Sequence, residues 1–398
     1  MTIHASGTPI KFSEIAAEFG LPSGKNIGAY RVSQTVSGLF NLPLDTGIPQ
    51  LGAIKFSDFY SKQLNAVVDY TSSAIYAPRS TYKDAVAKYN NGDGVIIIGG
   101  FTSKPTLSNI TTGMTVWIHT NSSLGSDQTA ANAANTNYCS LLTGSWPNIV
   151  KLIIDIGPNG LVVGAGGDGG NGGNADNSSV SGGSSGNSGT SALGVVMTSD
   201  TTLVNRGKIY AGGGGGGGGG SAYASHRYRA GFRNRYRVTD AGGSGGGGGN
   251  GYPSGLGGGA GSAASNGTGS SDPVNGNSGD NGSLLTAGKG GNTNTTGSFQ
   301  CAVAGGAGGG GAPDGSGGTG GSINQSGYVA TASDGGSGSA TQGGNGSDGS
   351  GSGSNGSASA GGANGGLSGN SIVVSGASIS ISGSGTRSGN IVYNTTPV

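Results

Sequence analysis

Charge, sulfur and long apolar runs are all scarce in this chain. Of its 398 residues 9% are charged, two are cysteine and three are histidine. Cys139 and Cys301 lie far apart and share no metal-ligand or redox spacing, so neither a disulfide framework nor a metal clamp is expected. His4, His119 and His226 have no nearby acid and serine in a catalytic order, and no carboxylate pair stands where its pKa would be shifted. No catalysed reaction and no cofactor are therefore expected. No apolar run reaches the ~18 residues of a membrane span. The opening MTIHASGTPIKFSEIAAEFG has no basic stretch followed by an apolar core, so the expectation is synthesis in the cytoplasm without a secretory signal. A net charge of +1 argues against a general binder of nucleic acid or membrane surfaces.

Glycine is abundant, and unevenly so. Only 14 of the 92 glycines precede position 157; the other 78 fall in the remaining 242 residues. A chain that is one-third glycine suggests collagen, but collagen needs glycine at every third position and plentiful proline. Here the glycine period wanders, and only Pro158, Pro253, Pro273, Pro313 and Pro397 occur beyond position 157. A disordered linker is the other reading of such a composition. Against it stands a recurring phrase of apolar strand, glycine turn, apolar strand and glycine run. It appears as LIIDIGPNGLVVGAGGDGGNGG at 152–173 and TLVNRGKIYAGGGGGGGGG at 202–220. Weaker forms are FQCAVAGGAGGGG at 299–311 and SIVVSGASISISGSG near the C-terminus. Gly164, Gly166 and Gly169 match G-x-G-x-x-G after a strand, but no helix signal follows, so a nucleotide site is not expected.

Ordered polyglycine has a physical solution. An extended helix of three residues per turn makes no internal hydrogen bonds, so copies packed side by side can bond to one another where no Cβ intervenes. The expected architecture is therefore mainly β and irregular. A small α+β attachment module occupies 1–65, a strand-rich shoulder 66–156, and a C-terminal sandwich of polyglycine helices 157–398.

The first module carries a doubled motif. Ile10-Lys11-Phe12-Ser13-Glu14-Ile15 returns as Ile54-Lys55-Phe56-Ser57-Asp58-Phe59. Each copy reads as a short extended piece leading to a serine able to cap a helix, with an acid in the first turn. In the shoulder, VVDYTSS, GVIIIGGF, MTVWIHTNSS and NIVKLIIDIG read as strands, and STYKDAVAKYN as a helix capped by Ser80.

The glycine-rich half resembles the distal adhesins of T-even-like tailed bacteriophages. The resemblance rests on Asn205-Arg206-Gly207-Lys208-Ile209-Tyr210-Ala211 entering the run 212–220, and on Pro158-Asn159-Gly160-Leu161-Val162-Val163-Gly164 entering Gly166-Gly167-Asp168-Gly169-Gly170. It covers about 152 to 370. It implies a domain of packed polyglycine helices with receptor specificity in the loops between glycine motifs. The doubled front motif, GTPIKFSEIAAEFG with GIPQLGAIKFSDFY, resembles a short module in structural proteins of marine and cyanobacterial tailed phages. That likeness implies virion attachment through the repeated apolar positions Ile10, Phe12, Ile15, Ile54, Phe56 and Phe59. The front end and the strand-rich region depart from the T-even-like pattern, so attachment geometry does not carry over.

The candidate contact residues form an island: Tyr223, His226, Arg227, Tyr228, Arg229, Phe232, Arg233, Arg235, Tyr236 and Arg237. Five arginines without an acid stand here, while the rest of the chain beyond 157 has four basic and nine acidic residues. Guanidinium forks bind phosphate and carboxylate bidentately and aromatic faces stack on sugar rings, which suits a host lipopolysaccharide. An outer-membrane protein is the other candidate receptor. A solvated hairpin that only keeps the tip soluble, or one that docks on another virion protein, fits the same composition. Secondary candidates are Tyr252-Pro253, 264–283, 292–296 and 325–328. The expected function is a tail-fibre or tail-tip adhesin; a non-adhesive fibre or baseplate protein is the rival reading.

Overall fold

The computed structural model describes residues 3–19, 27–30, 48–49, 52–62, 66–70, 74–76, 95–96, 115–126, 139–143, 151–176, 179–196, 201–264, 273–298, 300–325, 327–353, 356–375 and 378–394. Strands in several small sheets dominate it, and the one α-helix among the described residues is Phe12–Phe19. The helix expected at 80–90 lies outside them.

Parallel strands wind through three sheets in turn. The chain passes from Thr115–Thr120 to Ser123–Ser126 to Cys139–Leu142, then from Lys151–Ile156 to Leu161–Val163. It returns through Ser191–Val196, Thr201–Asn205 and Lys208–Tyr210, and again through Ile372–Ser375, Ile379–Ser382, Thr386–Ser388 and Ile391–Asn394. The sheets hold six, five and four strands, and within them only the pair Ala66–Tyr70 with Val95–Ile96 is antiparallel. Register stacks like on like: Ile118, Ile154 and Leu203 form one column, Leu124, Val162 and Ile209 a second, and Leu141, Leu193, Ile372 and Ile391 a third. These columns fill a single apolar core. The β-branched runs read from sequence supply it, since such side chains pack well on a pleated surface. Arg206 ties adjacent strands from outside, its guanidinium forking onto Asp155 at 2.7 and 2.9 Å. The coil draws strands from both sides of position 157.

The glycine runs leave this coil as extended segments outside any strand, linked to one another by backbone hydrogen bonds. Along 212–221 the donors turn through three neighbours with a period of three. Gly212, Gly215 and Gly218 donate to Thr190, Asn187 and Ser184; Gly213, Gly216 and Gly219 to Asn250, Gly247 and Ser244; Gly217 and Gly220 to Gly344 and Ser347. The carbonyls accept from three further segments on the same period, represented by Gly366 to Gly215, Gly170 to Gly216 and Gly309 to Gly217. This run therefore has six hydrogen-bonded neighbours, at N···O distances of 2.7–3.2 Å. The runs 242–250 and 306–312 are surrounded in the same way. At the margins, side chains take the place of missing neighbours. Asp168, Asn171 and Asn174 accept from the N–H of Leu256, Gly259 and Ser262 at 2.7–2.8 Å.

Consecutive segments alternate in direction. The tight turns 250–255, 312–315 and 338–343 lie at the end nearest the coil, and the described feet of the longer excursions, at 174 and 181, 222 and 241, 262 and 275, 294 and 305, 321 and 332, and 349 and 360, all lie at the other.

Close approach of backbones sets the chemistry of this lattice. A Cβ on Gly216 would collide with the carbonyls of Gly309 and Gly310, whereas one on Gly361 would meet only an Asp348 carboxylate oxygen at 3.5 Å. Gly216→Ala should therefore cost about 1–3 kcal/mol, as overpacking typically does. Gly361→Ala should stay within about 0.5 kcal/mol of the parent, as a surface change does. Denaturant melts of the two variants check the contrast; equal midpoints would contradict it.

Candidate functional site

At the end of the lattice away from the coil, the feet of the excursions pack on small side chains. Ala222, Ala224, Ala241, Cys301 and Val303 form one buried cluster, and Ala302, Ala304, Ala330 and Ala332 a second. From this base the antiparallel hairpin Ala222–Ala230 with Arg233–Ala241 stands out. The strand Gly356–Ser359 pairs with it only as far as Ser225. Beyond that residue it is a two-stranded ribbon. The loop is two residues long, with Gly231 at φ +66, and only glycine takes that first position of a tight hairpin turn without strain.

Register decides which side chains share a face. Because directly paired residues point the same way, His226, Tyr228, Arg233 and Arg235 lie on one face, and Arg227, Arg229 and Tyr236 on the other. On the first face the His226 and Tyr228 rings stack at 6.2 Å and 15°. Each face pairs an aromatic ring with a guanidinium across the strands, Tyr228 with Arg235 and Tyr236 with Arg227. Phe232 caps the apex, fully exposed. Tyr223 and His226 sit at the base, half-buried and buried. Arg237 pairs with His226 by backbone, and its side chain lies outside the described residues. Among the described residues no carboxylate pairs with Arg227, Arg229, Arg233 or Arg235.

The secondary candidates separate. Gln325, Gly327 and Tyr328 stand at the tip of the hairpin Ser322–Gln325 with Tyr328–Thr331, and 292–296 lead into the hairpin Thr295–Ser298 with Cys301–Ala304 at the same end. Tyr252-Pro253 lies at the opposite end, where the Tyr252 carbonyl accepts from Ser126 at 2.8 Å and ties lattice to coil. Residues 275–282 are a lattice segment, and 265–272 lie outside the described residues. The excursions 174–181 and 349–360 were not among the sequence candidates. Their signal is a change in the glycine spacing, filled mainly by Asn, Asp and Ser in 174–181 and by Ser alternating with Gly and Ala in 349–360.

In the front module the repeated motif builds the module's own core. Ile15 and Phe59 are fully buried with Ile3, Tyr30 and Ile48; Ile10, Phe12 and Ile54 pack against them. Phe56 alone of the six attachment candidates is exposed, at 43%. Burial pushes the Tyr30 hydroxyl up to about 12. The helix starts also differ from the serine caps expected. The Glu14 and Asp58 carboxylates reach back to the N–H of Lys11 and Lys55, each at 2.7 Å. A charged acceptor makes the stronger bond to an orphan N–H and complements the helix dipole.

Among the described residues no group of three or more His, Cys, Asp and Glu is placed to hold a metal ion. The Cys139 thiol, buried, is pushed up to about 12 and stays protonated at neutral pH. What the exposed end offers is a set of hairpins projecting from a hydrogen-bonded base, a geometry suited to binding.

The family comparison agrees with that class. The sequence model of the family described as "Phage tail fibre adhesin Gp38" matches residues 81–302. The chain belongs to this family of bacteriophage tail-fibre adhesins, which are receptor-binding proteins without catalytic function. A solved structure, the crystal structure of the gp37-gp38 adhesin tip complex of the bacteriophage S16 long tail fiber, is similar at 16% identity and a TM-score of 0.32. The alignment covers 86% of this chain and 88% of that one. No curated protein matches the chain.

Two substitutions separate core from surface in the front module. Phe59→Ala should cost about 3–5 kcal/mol and open the module to protease. Phe56→Ala should shift stability by less than about 0.5 kcal/mol. Calorimetry with limited proteolysis reads both, and equal effects would contradict the burial pattern.

Proposed function

We propose that this protein recognises a host cell-surface receptor through the excursions at the free end of the glycine lattice, with the ribbon 226–237 as the principal contact. The observation that carries this reading is a ribbon with arginines on both faces, projecting from the end where the excursions gather, with no carboxylate pairing Arg227, Arg229, Arg233 or Arg235 among the described residues. The contact residues are those of the island, Tyr223 to Arg237. The receptor is a lipopolysaccharide or an outer-membrane protein of the host.

The lattice itself we read as a sandwich of polyglycine helices. Donors that turn through three neighbours with a period of three are what a helix of three residues per turn produces. At about 3.1 Å per residue, the run 212–220 would span about 28 Å. In this reading 1–65 attach the protein to other virion fibre or baseplate proteins, 66–156 form the shoulder, and 157–398 carry the receptor surface. The mature protein acts on the virion, after synthesis in the host cytoplasm. Repeated copies on a particle would multiply weak single contacts.

A non-adhesive structural role predicts the opposite outcome in one experiment. Arg229→Ser/Arg233→Ser/Arg235→Ser should abolish adsorption of the purified protein to host cells. Its thermal melt should stay within about 0.5 kcal/mol of the parent, since all three side chains are exposed. Undiminished adsorption would remove the ribbon from the contact, and absence of adsorption by the parent protein would favour the structural role.

A further inference from the structure

We infer that the ribbon enters between neighbouring anionic glycan chains and binds phosphate groups on both of its faces at once, an inference that rests on the adhesin reading above. Four observations lead there. First, cationic groups are not gathered on one side. Arg233 and Arg235 flank the His226 and Tyr228 stack on one face, while Arg227, Arg229 and Tyr236 occupy the other. A ribbon meant to lie flat on one receptor surface would waste half of these.

Second, the ribbon stands clear of its base beyond His226. Strand pairing to Gly356–Ser359 ends at Ser225, His226 is buried at the base, and the four residues from there to Ala230 advance about 14 Å at about 3.4 Å each. Third, exposed carboxylates surround the ribbon at the same end of the lattice. Asp176 lies within its excursion, and Asp334 and Asp348 lie in lattice segments next to excursions, where they accept from the N–H of Gly320 and Gly362. A polyanion spread across that end would meet them, whereas one engaged by the projecting ribbon alone would not. Fourth, Phe232 leads at the apex with its ring fully exposed, and an aromatic face at that point can stack on a sugar ring.

Phosphate fits this arrangement better than carboxylate. Same-face arginines two residues apart are separated by about 7 Å along the strand. A phosphomonoester carries about −1.5 to −2 charges and three acceptor oxygens, so one group can answer more than one guanidinium. A carboxylate carries a single charge and is satisfied by one fork. The geometry thus selects a layer in which phosphorylated sugars stand on either side of an inserted wedge.

The test uses the full chain and lipopolysaccharide purified from a strain to which the protein adsorbs, either intact or chemically dephosphorylated. Two variants each strip one face: Arg227→Ser/Arg229→Ser and Arg233→Ser/Arg235→Ser. Each should raise Kd for intact lipopolysaccharide at least tenfold with an unchanged melt. Dephosphorylation should weaken the parent at least tenfold and erase most of the difference between parent and variants. The inference is overturned if either variant binds like the parent, if dephosphorylated material binds equally well, or if polygalacturonate or a single-stranded oligonucleotide binds as tightly as intact lipopolysaccharide. Adsorption to cells that persists alongside phosphate-insensitive binding would overturn this inference and leave the adhesin reading standing. A parent protein that adsorbs to no host cell would instead remove the adhesin reading.

Discussion

A hydrogen bond from one glycine segment to the carbonyl of another is the interaction on which the C-terminal half depends. Ordering glycine is costly, because it loses more backbone freedom than any other residue, with each fixed residue costing about 1–2 kcal/mol. Buried backbone polar groups left unpaired would add to that cost. The lattice meets both demands in one way. With no Cβ between them, segments approach until their N–H groups find carbonyls on neighbours, as every one does along 215–221. Where neighbours run out, Asp168, Asn171 and Asn174 supply oxygen from their side chains. The polar network thus stands in for the apolar core that the glycine runs cannot build.

The same arrangement positions the projecting end. Alternating directions bring the tight turns toward the coil and the longer excursions to the opposite side. The coil contributes the conventional core, with its stacked columns of isoleucine, leucine and valine. It anchors both ends of the glycine-rich region, because strands before and after the lattice share its sheets. The feet of the excursions bury alanine, cysteine and valine, with Val274, Ile323 and Tyr328 packed against them, so the bonds of the lattice lie beneath a base separate from the excursion tips.

Much of this was legible in the sequence. The runs VVDY, TVWIHT and LIIDI gave strands at Ala66–Tyr70, Thr115–Thr120 and Lys151–Ile156, because β-branched residues in short bounded runs have few other uses. The arginine and aromatic island was visible as a hairpin around Gly231. What the sequence hid was partnership. A run such as SISIS shows that it alternates but not that it lies beside Thr201–Asn205, some 180 residues earlier, because parallel pairing leaves no local mark. Arginine alternation likewise announced charge but not that register would divide it between two faces. The spacing of Asp168, Asn171 and Asn174 by three is a readable sign of the lattice margin. In the front module the doubled apolar motif suggested a contact surface, yet most of its side chains fill the module's own interior, since so small a unit has few other residues with which to make a core.

Amide exchange tests the central claim most directly. Gly216, Gly246 and Gly309 lie in the runs surrounded by hydrogen-bonded neighbours. Their amides should exchange at least about a thousandfold more slowly than in free peptide, as groups that open only with larger units of structure do. Amides at the ribbon apex, Gly231 and Phe232, should exchange quickly in the same sample. Free-peptide rates at the three glycines would contradict the account.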